Sequence, residues 1–203
     1  MKKRDNLSTH QSDDKFMVRE QPFTYDEYAQ MPDDGNRYEI ASGVLELMSP
    51  APTPKHQVIS NQMQTILTNS CQMEYIVFAS PIDLILSATE VRQPDLLMVH
   101  RNRMEIITRR GIEGIPDLVG EILSPHSAKR DKVQKLAAYA AYRIPEYWIV
   151  DSANELLEQY LLANDKYELH NLYSCEEQVQ SDRLPCVSFT MGQIVAAAEG
   201  LPG

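Results

Sequence analysis

The run GIPDLVGEILSP, residues 114 to 125, sets an acid, Glu121, among apolar residues that read as a buried strand. An unpaired buried carboxylate is expensive, so this charge must be exposed, paired, protonated or bound to a metal. Any fold open to the chain has to put one of those remedies beside the strand. Side chains alternate along a strand, so Asp117, Val119, Glu121 and Leu123 share one face. In RQPDLLMVH, Asp95 shares its face with Leu97 and Val99. If the two strands pair, Asp95 and Glu121 point into one shallow site. Two oxygen ligands held close together suit Mg²⁺, which keeps several waters and takes its other ligands from substrate phosphate. Such an ion polarises a phosphoryl group, favours a bound hydroxide and steadies the leaving oxygen. Asp117 competes for the role, but it lies about 13 Å from Glu121 at the normal strand rise, too far to share one ion. A plainer account covers the same residues: Asp95 caps or ends a strand, and Glu121 pairs with a buried lysine.

The rest of the chain gives that strand its setting. Residues 1–20 are polar and mixed in charge, which predicts a disordered tail ahead of a single domain over 21–203. In FTYDEYAQMP, Thr24 and Glu27 are spaced as a capping box, Phe23 and Tyr28 as a hydrophobic staple, and Pro32 ends the short helix. RYEIASGVLELMSP reads as a hairpin around Ser42-Gly43. Ile59, Met63, Ile66 and Leu67 fall at helical spacing. Three strand candidates follow, YIVFASPIDLILS, RQPDLLMVH and PDLVGEILS. A helix, AKRDKVQKLAAYAAYR, comes next with Ser127 as its expected N-cap. EYWIVD then reads as a fully buried strand, and residues 155–173 as a hairpin turning at Asn164-Asp165. Thr190 and Gln193 open a last helix that Gly200 can close. Residues 54–151 thus run helix, three strands, helix, strand. That order predicts an α/β (α+β) fold: one mixed central sheet flanked by helices, with an N-terminal hairpin and a C-terminal hairpin plus helix.

Bulk properties narrow the function classes. A chain of 203 residues can bury roughly 70% of its unfolded surface, so a full core needs no staples. Cys71, Cys175 and Cys186 are odd in number and far apart, with neither zinc-ligand spacing nor a disulfide framework. They point to a reducing cytosol, hence a cytoplasmic location. MKKRD has no apolar stretch behind it and is not a signal peptide. No apolar run approaches the ~20 residues that span a membrane, so no membrane partner is expected. The net charge of −10 opposes a polyanionic partner at long range, and nucleic-acid contact would need a local basic patch.

RYEIASGVLELMSP, RQPDLLMVH, RRGIEGIPDLVGEILSPHS and KLAAYAAYRIPEYWIVD together resemble the Uma-type putative restriction endonuclease family of bacteria, within the PD-(D/E)xK nuclease superfamily. The resemblance runs from about residue 22 to 199 in consistent order. It implies a restriction-endonuclease-like core, a divalent metal (Mg²⁺ or Mn²⁺) and a site matching Asp95 and Glu121. It also implies Glu39, in RYEI, and Lys135, in the helix. The superfamily's Glu-x-Lys element reads Glu121-Ile122-Leu123 here, so the strand lacks its lysine. A lysine in that role stabilises charge on phosphate and helps orient the attacking water. Lys135 can substitute from the helix, since its level along the sheet, ~10 Å into that helix, matches that of Glu121. Its helical position is less favourable. Val133, Leu136, Ala137 and Ala140 form one stripe, and Lys135 lies opposite with Tyr139 and Tyr142. Lys135 meets the carboxylates only if the tyrosine face looks toward the sheet; otherwise it is a solvated lysine.

On pattern alone Glu39 is a surface acid paired with Arg37. His56 opens the first core helix on its Met63/Leu67 side, where a partly buried, satisfied histidine is the simpler reading than a catalytic base. Lys129, Arg130, Lys132 and Lys135 face Asp131 at the start of the helix and form the candidate nucleic-acid patch, which Arg101, Arg103, Arg109 and Arg110 can extend. Free N–H groups and cations at a helix start both suit phosphate. A merely solvated basic face fits equally.

Three functions stay open from sequence. The first is a metal-dependent phosphodiester hydrolase, a DNA endonuclease in which Asp95 and Glu121, with Glu39, hold the metal and Lys135 steadies the phosphate. The second is a catalytically inactive nuclease-fold binding module, favoured by the missing strand lysine. The third is an α/β scaffold with a buried Glu121–Lys135 ion pair. A homodimer is expected by analogy with duplex cutters that pair two subunits.

Overall fold

The computed structural model describes residues 21–48, 51–124 and 127–202. The expected tail over 1–20 lies outside the described residues. The strands are β1 (Tyr38–Ala41), β2 (Val44–Leu47), β3 (Tyr75–Ala79), β4 (Leu84–Ser87), β5 (Glu90–Arg92), β6 (Leu96–His100), β7 (Ile112–Glu113) and β8 (Leu118–Ile122). After them come β9 (Glu146–Asp151), β10 (Leu156–Ala163), β11 (Lys166–Tyr173), β12 (Gln178–Gln180) and β13 (Ser188–Thr190). The helices are α1 (Tyr25–Tyr28), α2 (Pro54–Cys71), α3 (Leu136–Ala141) and α4 (Met191–Val195). A π-helical segment, Arg130–Lys135, runs straight into α3.

Local signals formed as their chemistry dictates. Thr24 with Glu27, and Thr190 with Gln193, close capping boxes at the starts of α1 and α4. Ser42 and Gly43 both take positive φ, 49° and 79°, which suits the two-residue turn between β1 and β2. Asn164 and Asp165 do the same between β10 and β11, at 47° and 65°. Thr53 caps α2 by accepting from the His56 N–H, with Pro54 in the first turn.

The central sheet has six strands in the order β11-β10-β9-β8-β6-β3. It is mixed: β8 and β9 run parallel, while β6 pairs antiparallel with both β3 and β8. One face packs Leu96, Met98, Leu118, Ile122, Trp148 and Val150 against α2 and the C-terminal elements. The other packs Leu97, Val99, Val119, Tyr147 and Ile149 against Tyr139 of α3 and Leu84 and Ile112.

The sequence reading of one sheet needs correction. A second, five-stranded sheet, β2-β1-β5-β4-β7, covers part of the central one. YIVFASPIDLILS is two strands, β3 in the central sheet and β4 in the second, and RQPDLLMVH likewise divides between β5 and β6. Both breaks fall at prolines, Pro81 and Pro94, which cannot donate to a ladder. The N-terminal hairpin is thereby recruited, because β1 pairs with β5.

The cysteine expectation also fails. Cys71 and Cys186 form a disulfide across 115 residues, with Cα atoms 5.1 Å apart, while Cys175 is free. Distance along the sequence is no guide once folding seats the end of α2 against the segment before β13, so cysteine usage no longer argues for a reducing compartment. Among the described residues, no helix is long and apolar enough to cross a membrane.

Candidate active site

β6 and β8 pair through Leu96↔Gly120 and Leu97↔Val119. The next position of that register sets Asp95 opposite Glu121. Asp95 stands just before β6 and replaces the next ladder bond with its side chain: Oδ2 accepts the Ile122 N–H at 2.8 Å. The same oxygen lies 3.1 Å from His56 Nε2, on the first turn of α2. Asp95 and Glu121 therefore lie side by side at one end of the sheet.

Glu121 is 3% exposed, and its Oε1 accepts two hydrogen bonds, from Lys135 Nζ at 2.7 Å and Tyr139 Oη at 2.8 Å. The tyrosine face of the helix thus looks toward the sheet. Lys135 is 1% exposed, whereas Val133, from the expected apolar stripe, is 58% exposed. The sequence stripe misled because Lys135 and Tyr139, four apart, both hydrogen-bond Glu121, and Asp131, one turn earlier, lies on the same buried face.

Glu39 is wholly buried, not a surface acid paired with Arg37. Arg37 instead donates to Gln93 and Ser80. Glu39 projects from β1 of the second sheet, with Oε1 accepting the Gln93 N–H at 2.9 Å and lying 3.3 Å from Lys135 Nζ. Its Oε2 lies 3.6 Å from Arg92 and 3.9 Å from Arg130, yet has no hydrogen-bond partner among the described residues. Arg92 is fixed by Glu90, which also accepts the Ser42 N–H of the hairpin turn. Four elements thus bring Glu39, Asp95, Glu121 and Lys135 together.

Electrostatics follow from burial and these partners. Burial, aided by the charges of Asp131, Asp95 and Glu39 and opposed by Lys135, pushes the Glu121 carboxyl up to about 8. Burial also works against ionised Asp95, but the His56 hydrogen bond and charge, the Ile122 N–H and Lys135 outweigh it and leave the carboxyl below its usual range. Glu39 is likewise lowered despite burial, by Lys135, the Gln93 N–H, Arg130 and Arg92. Burial would lower the Lys135 ammonium, yet Glu121, Glu39 and Asp131 together raise it. His56 is raised, its burial outweighed by Asp95.

The other sequence candidates fall elsewhere. Asp117 accepts the His100 N–H at 2.7 Å and pairs with Arg103 at 3.1 Å, tying the far end of β6. Arg101 donates to the Gln72 carbonyl beside it. Arg110 pairs with Asp26 and lies over the Tyr25 ring; Arg109 is exposed beside it. The basic patch is divided: Lys129 is exposed, Arg130 turns inward to Glu39, and Lys132 bonds Glu158 on β10 at 2.5 Å. Sequence reasoning missed Arg92 and Tyr139 as members of the site, treated Asp131 merely as a counter-charge and left His56 apart from it. The four-residue spacing Asp131–Lys135–Tyr139 was the available signal.

A divalent cation fits the donor set. Each carboxylate commits one oxygen and leaves the other, Glu39 Oε2, Asp95 Oδ1 and Glu121 Oε2, without a hydrogen bond among the described residues. Hard oxygen donors of this kind suit Mg²⁺ or Mn²⁺ with retained waters. Among the described residues no group of three or more His, Cys, Asp or Glu is arranged to hold an ion by itself, so the fit is to a hydrated ion on two carboxylates.

Among curated proteins nothing matches the chain. A solved structure does: the crystal structure of a putative nuclease belonging to DUF820 from Anabaena variabilis shares 16% identity, with a TM-score of 0.71. The match covers 87% of this chain and 99% of that one, which establishes a common, restriction-endonuclease-like fold. Residues 25–192 match Uma2, described as "Putative restriction endonuclease". A match over so much of the chain, on a nuclease fold with its acids gathered at one sheet end, makes this protein a member of the Uma2 family.

Proposed function

We propose that the protein is a metal-dependent phosphodiester hydrolase acting on DNA. One observation carries the reading: Glu39 and Glu121, from separate strands, flank one lysine ammonium, half-buried Asp95 stands beside Glu121, and among the described residues each of the three keeps an oxygen in reserve. Family membership and fold support a nuclease; the metal and the DNA substrate are our reading. Asp95 and Glu121 would hold the ion, with Glu39 close by. The bound ion supplies Lewis acidity toward phosphate and a hydroxide-like water.

The protein's own groups do the rest. His56 and the Ile122 N–H hold Asp95 by one oxygen, which aims the other. Tyr139 does the same for Glu121. Lys135 brings a positive charge to a desolvated site, where it stabilises the charge that grows on phosphate as water adds and the P–O bond breaks. It thereby takes the place of the absent strand lysine. Lys129 is the exposed cation at the mouth of the helix available to a neighbouring phosphate.

A second reading has an observation of its own. Lys135 already neutralises Glu121 at 2.7 Å, so the same residues close as a buried ion pair in an inactive binding module or scaffold. Two measurements separate the readings. Calorimetry with Mn²⁺ should show binding that Asp95→Ala and Glu121→Ala each abolish. Supercoiled plasmid should be nicked with Mg²⁺ or Mn²⁺ and left intact with chelator. Metal binding without nicking, together with no effect of Lys135→Ala, would favour the inactive module.

A further inference from the structure

Asp131 is 2% exposed, and among the described residues its Oδ1 has no hydrogen-bond partner. A buried carboxylate oxygen left without a donor is costly and needs a reason. Its surroundings are otherwise settled. The Asp131 carbonyl accepts from Tyr147 Oη at 3.1 Å and from the Leu136 N–H, the wide-turn bond of the π-helical segment, so the backbone is fixed. Such widened turns recur at functional sites. Arg130, next along the chain, turns toward Glu39 instead. Among the described residues, the cation within 4 Å of that oxygen is Lys135, whose Nζ stands 3.9 Å from Asp131 Oδ1, 3.3 Å from Glu39 Oε1 and 2.7 Å from Glu121 Oε1.

An ammonium has three N–H donors on a flexible stem. Lys135 hydrogen-bonds Glu121 and stops short of Asp131. A divalent cation on Glu121 would crowd the ammonium with a second positive charge within a few ångström. Charge-assisted N–H···O bonds are about 2.7–2.9 Å long, so a modest rotation of the lysine stem closes the gap to Asp131.

We propose that Asp131 is the second berth of Lys135: the ammonium rests on Glu121 in the metal-free protein and shifts to Asp131 when a divalent cation takes Glu121. The inference rests on the metal-dependent reading given above. Asp131 is then a positioning residue. It touches neither metal nor substrate, and sets where the lysine's charge stands when phosphate arrives.

The test is a double-mutant cycle on Mn²⁺ affinity, measured by calorimetry on the full chain without substrate. Asp131→Asn keeps the side-chain shape and removes the berth's charge. It should weaken Mn²⁺ binding by roughly 10- to 100-fold, the range typical of residues that support a ligand without binding metal. In a Lys135→Met background the same substitution should change affinity less than about two-fold, because there is no ammonium to relocate. Asp131→Glu, which keeps the charge, should restore binding, and that rescue separates the role from a folding defect. Equal weakening with and without Lys135 would overturn the proposal, making Asp131 a ligand or a structural acid. An unchanged affinity in Asp131→Asn would overturn it too. Wild-type protein that takes up no Mn²⁺ would overturn the metal reading along with this one, whereas the other two results leave that reading standing.

Discussion

Glu121 and Glu146 sit on adjacent parallel strands, β8 and β9, and both are buried, but their side chains enter opposite faces of the central sheet. Among the described residues Glu146 is met by neutral donors: Trp148 Nε1 and Gln159 Nε2 on Oε1, and Ser181 Oγ on Oε2, each at 2.7 Å. Both its oxygens are occupied. Glu121 faces a lysine and a tyrosine through one oxygen, with three further acids nearby and its second oxygen unclaimed among the described residues. On the proposed reading, burial therefore does not mark a working acid. An incomplete shell with a surplus of charge does, since a fully satisfied polar network fixes a core and leaves nothing for a ligand.

The contrast breaks most visibly in activity. Glu121→Gln should lower plasmid nicking by about 10²–10³-fold while the chain stays folded, as expected on losing one electrostatic element of a site. A variant that kept its activity would put Glu121 in the same class as Glu146. Glu146→Ala should do the reverse. It strands three buried donors and should lower the urea unfolding free energy by roughly 3 kcal/mol, with the folded fraction keeping its specific activity.

Acidity sharpens the contrast further. Glu121 is held near 8 in the folded chain by burial, against roughly 4.3 when unfolded. Between those values the unfolded state releases the proton first, so this residue's contribution makes the metal-free protein less stable as pH rises through that window. The stability difference between wild type and Glu121→Gln, measured by urea melts with chelator from pH 4 upward, should shift in that direction and level off above about 8. The smallest effect belongs to Lys132, three residues before Lys135. Its partly exposed bridge to Glu158 is worth less than about 1 kcal/mol, and Lys132→Ala should leave Mn²⁺ affinity unchanged.

How far these features were legible in sequence depends on how local their causes are. Both capping boxes and both hairpin turns were readable, because each is decided within a few residues by hydroxyl, amide and backbone geometry. The pairing of Asp95 with Glu121 was readable too, since strand alternation and one register suffice. Glu39 was not: its neighbours Arg37 and Ala41 look like a solvent face, and what buries it is a helix about ninety residues further on. Lys135 was legible up to a choice of helix face, which sequence could not make because the lining of this face is tyrosine and paired charge, not aliphatic. The Cys71–Cys186 bond depends on a closure over 115 residues, which spacing does not encode.

Glu39 belongs to the second sheet, while Asp95 and Glu121 border the central one. A nascent or partly opened chain holding just the larger sheet would carry two of the three acids, and its lysine would lack one of its anchors. On the proposed reading, the complete set of acids exists only while the amino-terminal hairpin is docked. Loosening that hairpin would remove Glu39 from the lysine while leaving Asp95 and Glu121 on the central sheet.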